Sequence, residues 1–153
     1  MNEKVLDSIT PEFPAHIRIY PDGKKVYQSC QAHSRETARY AGETLETVGL
    51  GKSAYLAGLL HDAGKFKQSY RTYLMRQVDG ENVARGSVIH TFAGARYILE
   101  RYHGNGEDPF KDFVSEILAY AVGSHHGLFD CVDEQHKNGF LHRLHSRPEG
   151  DED

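Results

Sequence analysis

Histidines placed at the ends of helix-like segments constrain this chain more than any other feature of its sequence. Five histidines and one aspartate occur in a fixed order, namely His33, the pair His61-Asp62, His90 and the pair His125-His126. Neutral imidazole binds first-row divalent metals well, and a carboxylate can bridge two of them. A buried His-Asp pair can be purely structural, but the whole set predicts a metal centre. Such a centre needs a fold that brings several helix ends together.

Apolar residues recur with the helical period through most of the chain. Four segments carry such stripes: about residue 31 to Gly49, about Ser53 to Gly64, Ser87 to Gly104, and Asp108 to Gly123. Further helices are expected at about 66–78 and about 136–144, with a loop at 79–86 between elements. The segment from about Ser53 is apolar nearly all round, so it is expected to be the central buried helix, with His61-Asp62 in its last turn.

Helix-capping signals mark two of these starts. Ser87 is an expected N-cap, and Asp108 followed by Pro109 is a cap with proline at the first helical position. The stripe after Pro109 includes Phe113 and Ile117 and is predicted to face the core.

A β-hairpin is predicted near the N-terminus. Residues 17–20 and 25–28 flank Pro21-Asp22-Gly23-Lys24, in which proline presets one dihedral angle and glycine takes the left-handed position. We expect an irregular arm at 1–16, one metal-binding domain at 17–145 and a flexible acidic tail at 146–153. The predicted fold class is therefore all-α, a helical bundle with a small N-terminal hairpin.

Composition narrows the classes of function. The net charge of −4 argues against sequence-blind clamping of duplex DNA, although bound metals would still make a nuclease cleft positive. The sequence has no long apolar run and no signal-peptide pattern, so no membrane partner is expected. Cys30 and Cys131 form no disulfide framework, which favours a cytoplasmic location. The other histidines are expected at the surface: His16, His103, His136, His142 and His145.

Four motifs together carry a family resemblance. They are His33-Ser34, the run LLHDAGKF from Leu59 to Phe66, His90, and the run SHHGL from Ser124 to Leu128. This arrangement resembles the HD superfamily of metal-dependent phosphohydrolases, and in particular the HD nuclease domain of the type I CRISPR helicase-nuclease. The likeness extends from about His33 to about Leu144. A His-Asp dipeptide alone is weak, but HDxGKF with the flanking histidines is specific.

The resemblance implies a ligand set for one or two divalent transition metals. His33, His61 and Asp62 would hold one ion, and the same aspartate would bridge to a second ion held by His90, His125 and His126. The metal would be Mn, Fe, Co or Ni, or else Mg. In the family, an aspartate from a later helix completes the first metal site. Here the nearest carboxylates after the paired histidines are Asp130 and Asp133, which come early for that role. The binding of a single ion is therefore an alternative to two.

Three further residues are candidates for contact with substrate. Lys65 follows His61 by one turn and would neutralise a phosphate oxygen, which makes it a catalytic candidate beside Asp62. Ser34 and Ser124 would add hydrogen bonds to the substrate.

The resemblance implies a metal-dependent nuclease, endonuclease or exonuclease, that cleaves single-stranded DNA in CRISPR interference by attack of metal-activated water on the phosphodiester. Its partners would be a superfamily 2 helicase domain or subunit and a crRNA-guided surveillance complex. One alternative is an HD phosphohydrolase acting on a nucleotide or cyclic nucleotide, which would need a closed pocket with base-reading side chains. Another is a catalytically idle HD interaction domain.

Overall fold

The computed structural model of the chain describes residues 10–84, 86–127 and 139–146. The chain divides into two compact units at the boundary between His90 and Thr91. In the described part of the chain, no helix is long and apolar enough to cross a membrane. Several predictions lie outside the described residues: those for Cys131, Asp130, Asp133, His136, most of the expected arm and almost all of the tail.

The described elements confirm the all-α class with one small hairpin. The first unit contains strands β1 (Pro14–Ile19) and β2 (Lys25–Ser29) and helices α1 (Cys30–Leu45), α2 (Gly51–Leu60) and α3 (Gln68–Val78). Short 3₁₀ turns follow α1 at Glu46–Val48 and follow α2 at Ala63–Phe66. The second unit contains α4 (Phe92–Tyr102), α5 (Pro109–Gly123) and α6 (Phe140–His145).

The hairpin leads directly into α1. Its strands pair antiparallel, with Ile17 opposite Tyr27, and the register shifts between Pro14 and His16. The first strand therefore begins three residues earlier than the sequence indicated. The side chain of Ser29, the last residue of β2, caps α1 by accepting a hydrogen bond from the backbone N–H of Ala32 at 3.1 Å. The hairpin is thus fixed to the helix that carries His33.

Helices α1 and α2 pack through small residues. A Cβ added at Gly58 would lie 2.8 Å from the backbone Cα of Ala38, so the two backbones touch directly. The buried residues of α2 are Gly51, Ala54 and Gly58, whereas Tyr55 is exposed. The prediction that this helix is the central buried one is wrong, because α2 turns its smallest residues toward α1. It leaves Tyr55 exposed and its leucines only half-buried.

The His-Asp pair lies just beyond α2 and not within its last turn. The helix ends at Leu60, His61 is its C-cap, and Asp62 is the N-cap of the 3₁₀ turn. In that turn the backbone N–H of Lys65 donates to the carbonyl of Asp62 at 2.9 Å. Gly64 lies inside the turn and is not the end of the helix.

The segment before α4 is not helical, in contrast to the prediction from Ser87. The helix begins at Phe92, and Gly86 has a left-handed φ of 78°. A Cβ added at Gly64 would lie 2.3 Å from the carbonyl oxygen of His90. The backbone at His90 is therefore in close contact with the 3₁₀ turn at Ala63–Phe66, and this packing overrides the local capping signal of Ser87.

In the second unit, the N-cap of α5 was predicted correctly, but its buried face was not. Asp108 accepts a hydrogen bond from the N–H of Lys111 at 3.1 Å, with Pro109 at the first position of α5. However, Phe113 is 59% exposed and Ile117 is 51% exposed. The buried side of α5 is made by smaller residues: Asp112, Ser115, Ala119, Val122 and Gly123.

Candidate metal centre

The carboxylate of Asp62 lies at the centre of a cluster of histidines in the first unit. It is buried, with 3% of the residue exposed. Its Oδ2 lies 3.0 Å from Nε2 of His33 and 3.1 Å from Nε2 of His61. The two imidazole nitrogens lie 3.0 Å from each other. Three ligand atoms, two of nitrogen and one of oxygen, thus converge at one point where α1 meets the end of α2.

These three distances fit a divalent metal. Bonds of about 2.1 Å, meeting at right angles, place neighbouring ligand atoms about 3.0 Å apart. The observed separations of 3.0, 3.0 and 3.1 Å match one face of such an octahedron. Nitrogen and carboxylate ligands suit manganese, iron, cobalt, nickel and zinc. The donor set of His33, His61 and Asp62 is therefore compatible with a divalent ion.

A backbone carbonyl orients His61 toward the cluster. Its Nδ1 lies 2.7 Å from the carbonyl oxygen of Gly58. A carbonyl can only accept, so Nδ1 carries the proton and Nε2 is left to face Asp62. Burial disfavours the imidazolium, but the hydrogen bond and negative charge of Asp62 outweigh it and raise the pKa of His61 above 6.5. Protons and a metal ion therefore compete for this nitrogen.

Lys65 supplies a buried positive charge to the same carboxylate. Its Nζ lies 2.9 Å from Oδ2 of Asp62, and only 5% of each side chain is exposed. The ammonium group also lies 5.8 Å from the centre of the Tyr70 ring. Because an isolated buried carboxylate is costly, Lys65 balances the charge of Asp62 in the metal-free protein.

His90 approaches the other carboxylate oxygen of Asp62. Its Nε2 lies 3.5 Å from Oδ1 of Asp62, and its ring packs edge-on against Tyr70 with centroids 4.9 Å apart. Gly64 allows this approach, since any larger residue would collide with the backbone of His90. Burial, followed by the charge of Asp62, raises the pKa of Tyr70. Tyr70 thus contacts the cluster as an uncharged side chain. The sequence alone did not identify this residue.

His16, on the hairpin, is exposed as the sequence predicted, and it also borders the cluster around Asp62. Its ring packs edge-on against His33 with centroids 4.6 Å apart. The ligand atoms of His16, His33 and Asp62 all lie within 4.8 Å of one another. Desolvation and then the positive charge of Lys65 lower the pKa of His16 to about 4, so it is neutral at pH 7. Only strand pairing reveals this neighbour, because no motif includes it.

In the second unit, the paired histidines follow the end of α5. Nδ1 of His125 lies 2.7 Å from the carbonyl oxygen of Val122, so this ring, like that of His61, is oriented by the preceding helix. The rings of His125 and His126 lie 4.2 Å apart. His126 is exposed and His125 is half-buried. Their predicted role as ligands of a second ion stays a prediction.

The two serines proposed to bind substrate are buried. Ser34 is 3% exposed, on the face of α1 that holds Cys30 and Ala38, and Ser124 is 9% exposed. Neither hydroxyl has a hydrogen-bond partner among the described residues. Their predicted role in binding substrate stays a prediction.

Comparison with known protein families identifies a match over most of the chain. The family model described as the HD domain matches residues 31–140. The matched range contains all the predicted ligands, whereas His16 lies before it. No curated protein matches the chain.

Proposed function

This chain belongs to the HD domain family. From that membership, together with the motif resemblance, we propose that it is a metal-dependent nuclease that cleaves single-stranded DNA in CRISPR type I interference. HD domains bind divalent metals and are generally metal-dependent phosphohydrolases. The observation that carries the proposal is the convergence of His33, His61 and Asp62 on one point, with a spacing compatible with a divalent ion.

The side chains of the first unit would have separate roles in binding the ion and the substrate. His33, His61 and Asp62 would hold the ion, and the carbonyl of Gly58 keeps His61 in the tautomer that can bind it. When bound, a divalent ion lowers the pKa of a water molecule and stabilises negative charge on phosphate oxygens. With an ion bound at Asp62, the charge of that carboxylate would no longer be balanced by Lys65 alone. Lys65 would then neutralise a non-bridging oxygen of the substrate.

The choice of substrate and partners rests on the motif resemblance. The HDxGKF run, the upstream histidine and the SHHG run support a DNA strand as substrate. The same resemblance supports a superfamily 2 helicase, as a domain or subunit, and a crRNA-guided surveillance complex as partners. The overall negative charge of −4 favours a single strand, presented by a partner, over unaided capture of a duplex.

A second candidate function is supported by a cleft beside the cluster. A space of about 610 Å³, lined in part by His16 and His33, opens between the hairpin and α1. Its volume is within the range of about 300–1,000 Å³ usual for small-molecule sites. An HD phosphohydrolase acting on a free nucleotide or cyclic nucleotide would use such a space.

One experiment separates these candidates. Labelled circular single-stranded DNA and a panel of nucleotides and cyclic nucleotides are incubated with the protein and Mn²⁺, Co²⁺, Ni²⁺, Fe²⁺ or Mg²⁺. Asp62→Ala is the inactive variant, and Asp79→Ala, at an exposed acid, is the matched control. Cutting of DNA that Asp62→Ala abolishes supports the nuclease. Hydrolysis of nucleotides alone supports the second candidate, and no turnover by metal-loaded protein supports the idle interaction domain.

A further inference from the structure

We infer that the cleft beside His33 binds the nucleotide adjacent to the scissile phosphate, with its base stacked on Tyr40 and a flanking phosphate at Arg18. The inference rests on the proposed action on phosphodiesters, and it adds a substrate-binding site that the HD motif does not contain. It applies equally to a nucleotide within a DNA strand and to a free nucleotide, which share this chemistry.

The cleft has two walls that meet at the metal cluster. On the helix side, His33, Glu36 and Tyr40 follow at intervals of three and four residues, so they form one face of α1. On the strand side, His16 and Arg18 alternate along β1 and share one face of the hairpin. His33 belongs both to this cleft and to the cluster around Asp62. A phosphate held at the cluster would therefore have the rest of its nucleotide in the cleft.

The length of the helix wall suits one nucleotide. Tyr40 follows His33 by seven positions, which at about 1.5 Å per residue is about 10 Å along the helix. A phosphate beside His33 thus leaves room for a sugar and a base before Tyr40 is reached. The ring of Tyr40 lies where a base attached to that phosphate would lie.

Tyr40 is prepared as a stacking surface. It is 50% exposed, and the guanidinium of Arg39 lies 4.2 Å from its ring centroid. Two hydrogen bonds to the carboxylate of Glu43, at 2.9 and 3.0 Å, hold that guanidinium in place. A ring fixed on one face and half exposed to solvent is the arrangement on which nucleic-acid bases stack, without preference for sequence.

The floor of the cleft carries an unsatisfied acceptor. Gln28 is only 2% exposed, and its amide nitrogen donates to a carboxylate oxygen of Glu36 at 3.3 Å. Its amide oxygen is buried and has no hydrogen-bond partner among the described residues. Such an oxygen only accepts, and a buried acceptor without a partner costs free energy. The N–H groups of a base are donors of the kind that would satisfy it.

Arg18 supplies the positive charge that a flanking phosphate needs. It is an exposed residue of β1, and its guanidinium lies 5.8 Å from the Tyr20 ring centroid. Guanidinium groups bind phosphate through paired N–H donors. The cleft therefore combines a stacking ring, a buried acceptor and a cation, the three elements that recognise a nucleotide.

The test measures binding separately from catalysis. Fluorescence anisotropy of a labelled hexanucleotide is recorded with the full chain in EDTA, for the wild type, Tyr40→Ala, Tyr40→Phe and Arg18→Ala. Tyr97→Ala and Arg101→Ala, at exposed positions of α4, are the controls. Tyr40→Ala should weaken binding about tenfold or more, whereas Tyr40→Phe should keep the stacking and bind nearly as well as the wild type. Arg18→Ala should reduce the slope of log affinity against log salt by about 0.7.

A second readout uses bis(p-nitrophenyl) phosphate, a diester without base or sugar. With Mn²⁺, the ratio of kcat/KM for the oligonucleotide to kcat/KM for this diester should fall about tenfold in Tyr40→Ala and stay constant in Tyr97→Ala. If the wild type hydrolyses neither compound, the proposed function fails, and the anisotropy measurement still decides the cleft. Equal affinity of Tyr40→Ala and the wild type, or an equal loss in the α4 controls, would overturn the inference.

Discussion

Replacement of Lys65 by methionine tests the electrostatic account of the cluster. The side chains of Lys65 and Asp62 are each 5% exposed and lie 2.9 Å apart. Removing one partner of a buried ion pair costs about 3–5 kcal/mol because the other charge stays buried. The lower end applies here, since His61, whose pKa is raised beside Asp62, lies 3.1 Å from the carboxylate and can take up a proton in its place. A loss of about 3 kcal/mol lowers Tm by about 6–12 °C in a protein of this size.

The same variant should respond more strongly to metal than the wild type does. A divalent ion at Asp62 replaces the missing positive charge, so Mn²⁺ should recover most of the lost stability and raise Tm by more in Lys65→Met. The assay is thermal unfolding in EDTA and in Mn²⁺, with Lys52→Met, at an exposed residue of α2, as the control. Equal Tm values for Lys65→Met and the wild type in EDTA, or equal shifts with metal, would refute this reasoning.

Three further predictions follow from the packing and the pKa shifts. Gly58→Ala inserts a Cβ 2.8 Å from the backbone of α1 and should cost about 1–3 kcal/mol in urea unfolding. Gly127→Ala should cost little, because no atom of the described residues lies within 4 Å of the added Cβ. Gly64→Ala should push His90 away and weaken Mn²⁺ binding in calorimetry; unchanged affinity would contradict the close packing. The raised pKa of His61 stabilises the metal-free fold below pH 6.5, and this stability is lost as pH rises through the folded pKa. Mn²⁺ affinity should change in the opposite sense, rising from pH 6 to pH 8 with release of protons.

Signals that act within a few residues predicted the fold well. Asp108 and Pro109 mark the start of α5, and Gly49, with φ of 76°, ends the first helical segment after its 3₁₀ turn. The turn around Gly23 produced the hairpin. In each case the decisive interaction is a local dihedral angle or hydrogen bond that the sequence specifies directly.

Predictions that depended on tertiary packing were less accurate. The apolar run of α2 indicated a buried helix, yet α1 accepts only its smallest side chains, so Tyr55 stays at the surface. Ser87 gave a plausible cap, but the contact between Gly64 and His90 keeps that stretch out of a helix. Neither outcome can be derived from periodicity alone, because each depends on which backbone lies alongside.

The metal cluster shows the same difference between local sequence signals and tertiary packing. The motifs identified His33, His61 and Asp62, and the structure brings them within 3.1 Å of one another. Their role as ligands stays a prediction until a metal is measured. His16 and Tyr70 were missed because they reach the cluster through strand pairing and ring packing, which leave no spacing pattern in the sequence.

The central claim is that Asp62 organises a site for a divalent ion, and calorimetric titration of Mn²⁺ at pH 8 tests it most directly. The account predicts at least one ion bound per chain in the wild type and in Asp79→Asn. Asp62→Asn, which keeps the shape of the side chain but removes its charge, should bind at least about a hundredfold more weakly. Equal affinity in Asp62→Asn and the wild type would contradict the account.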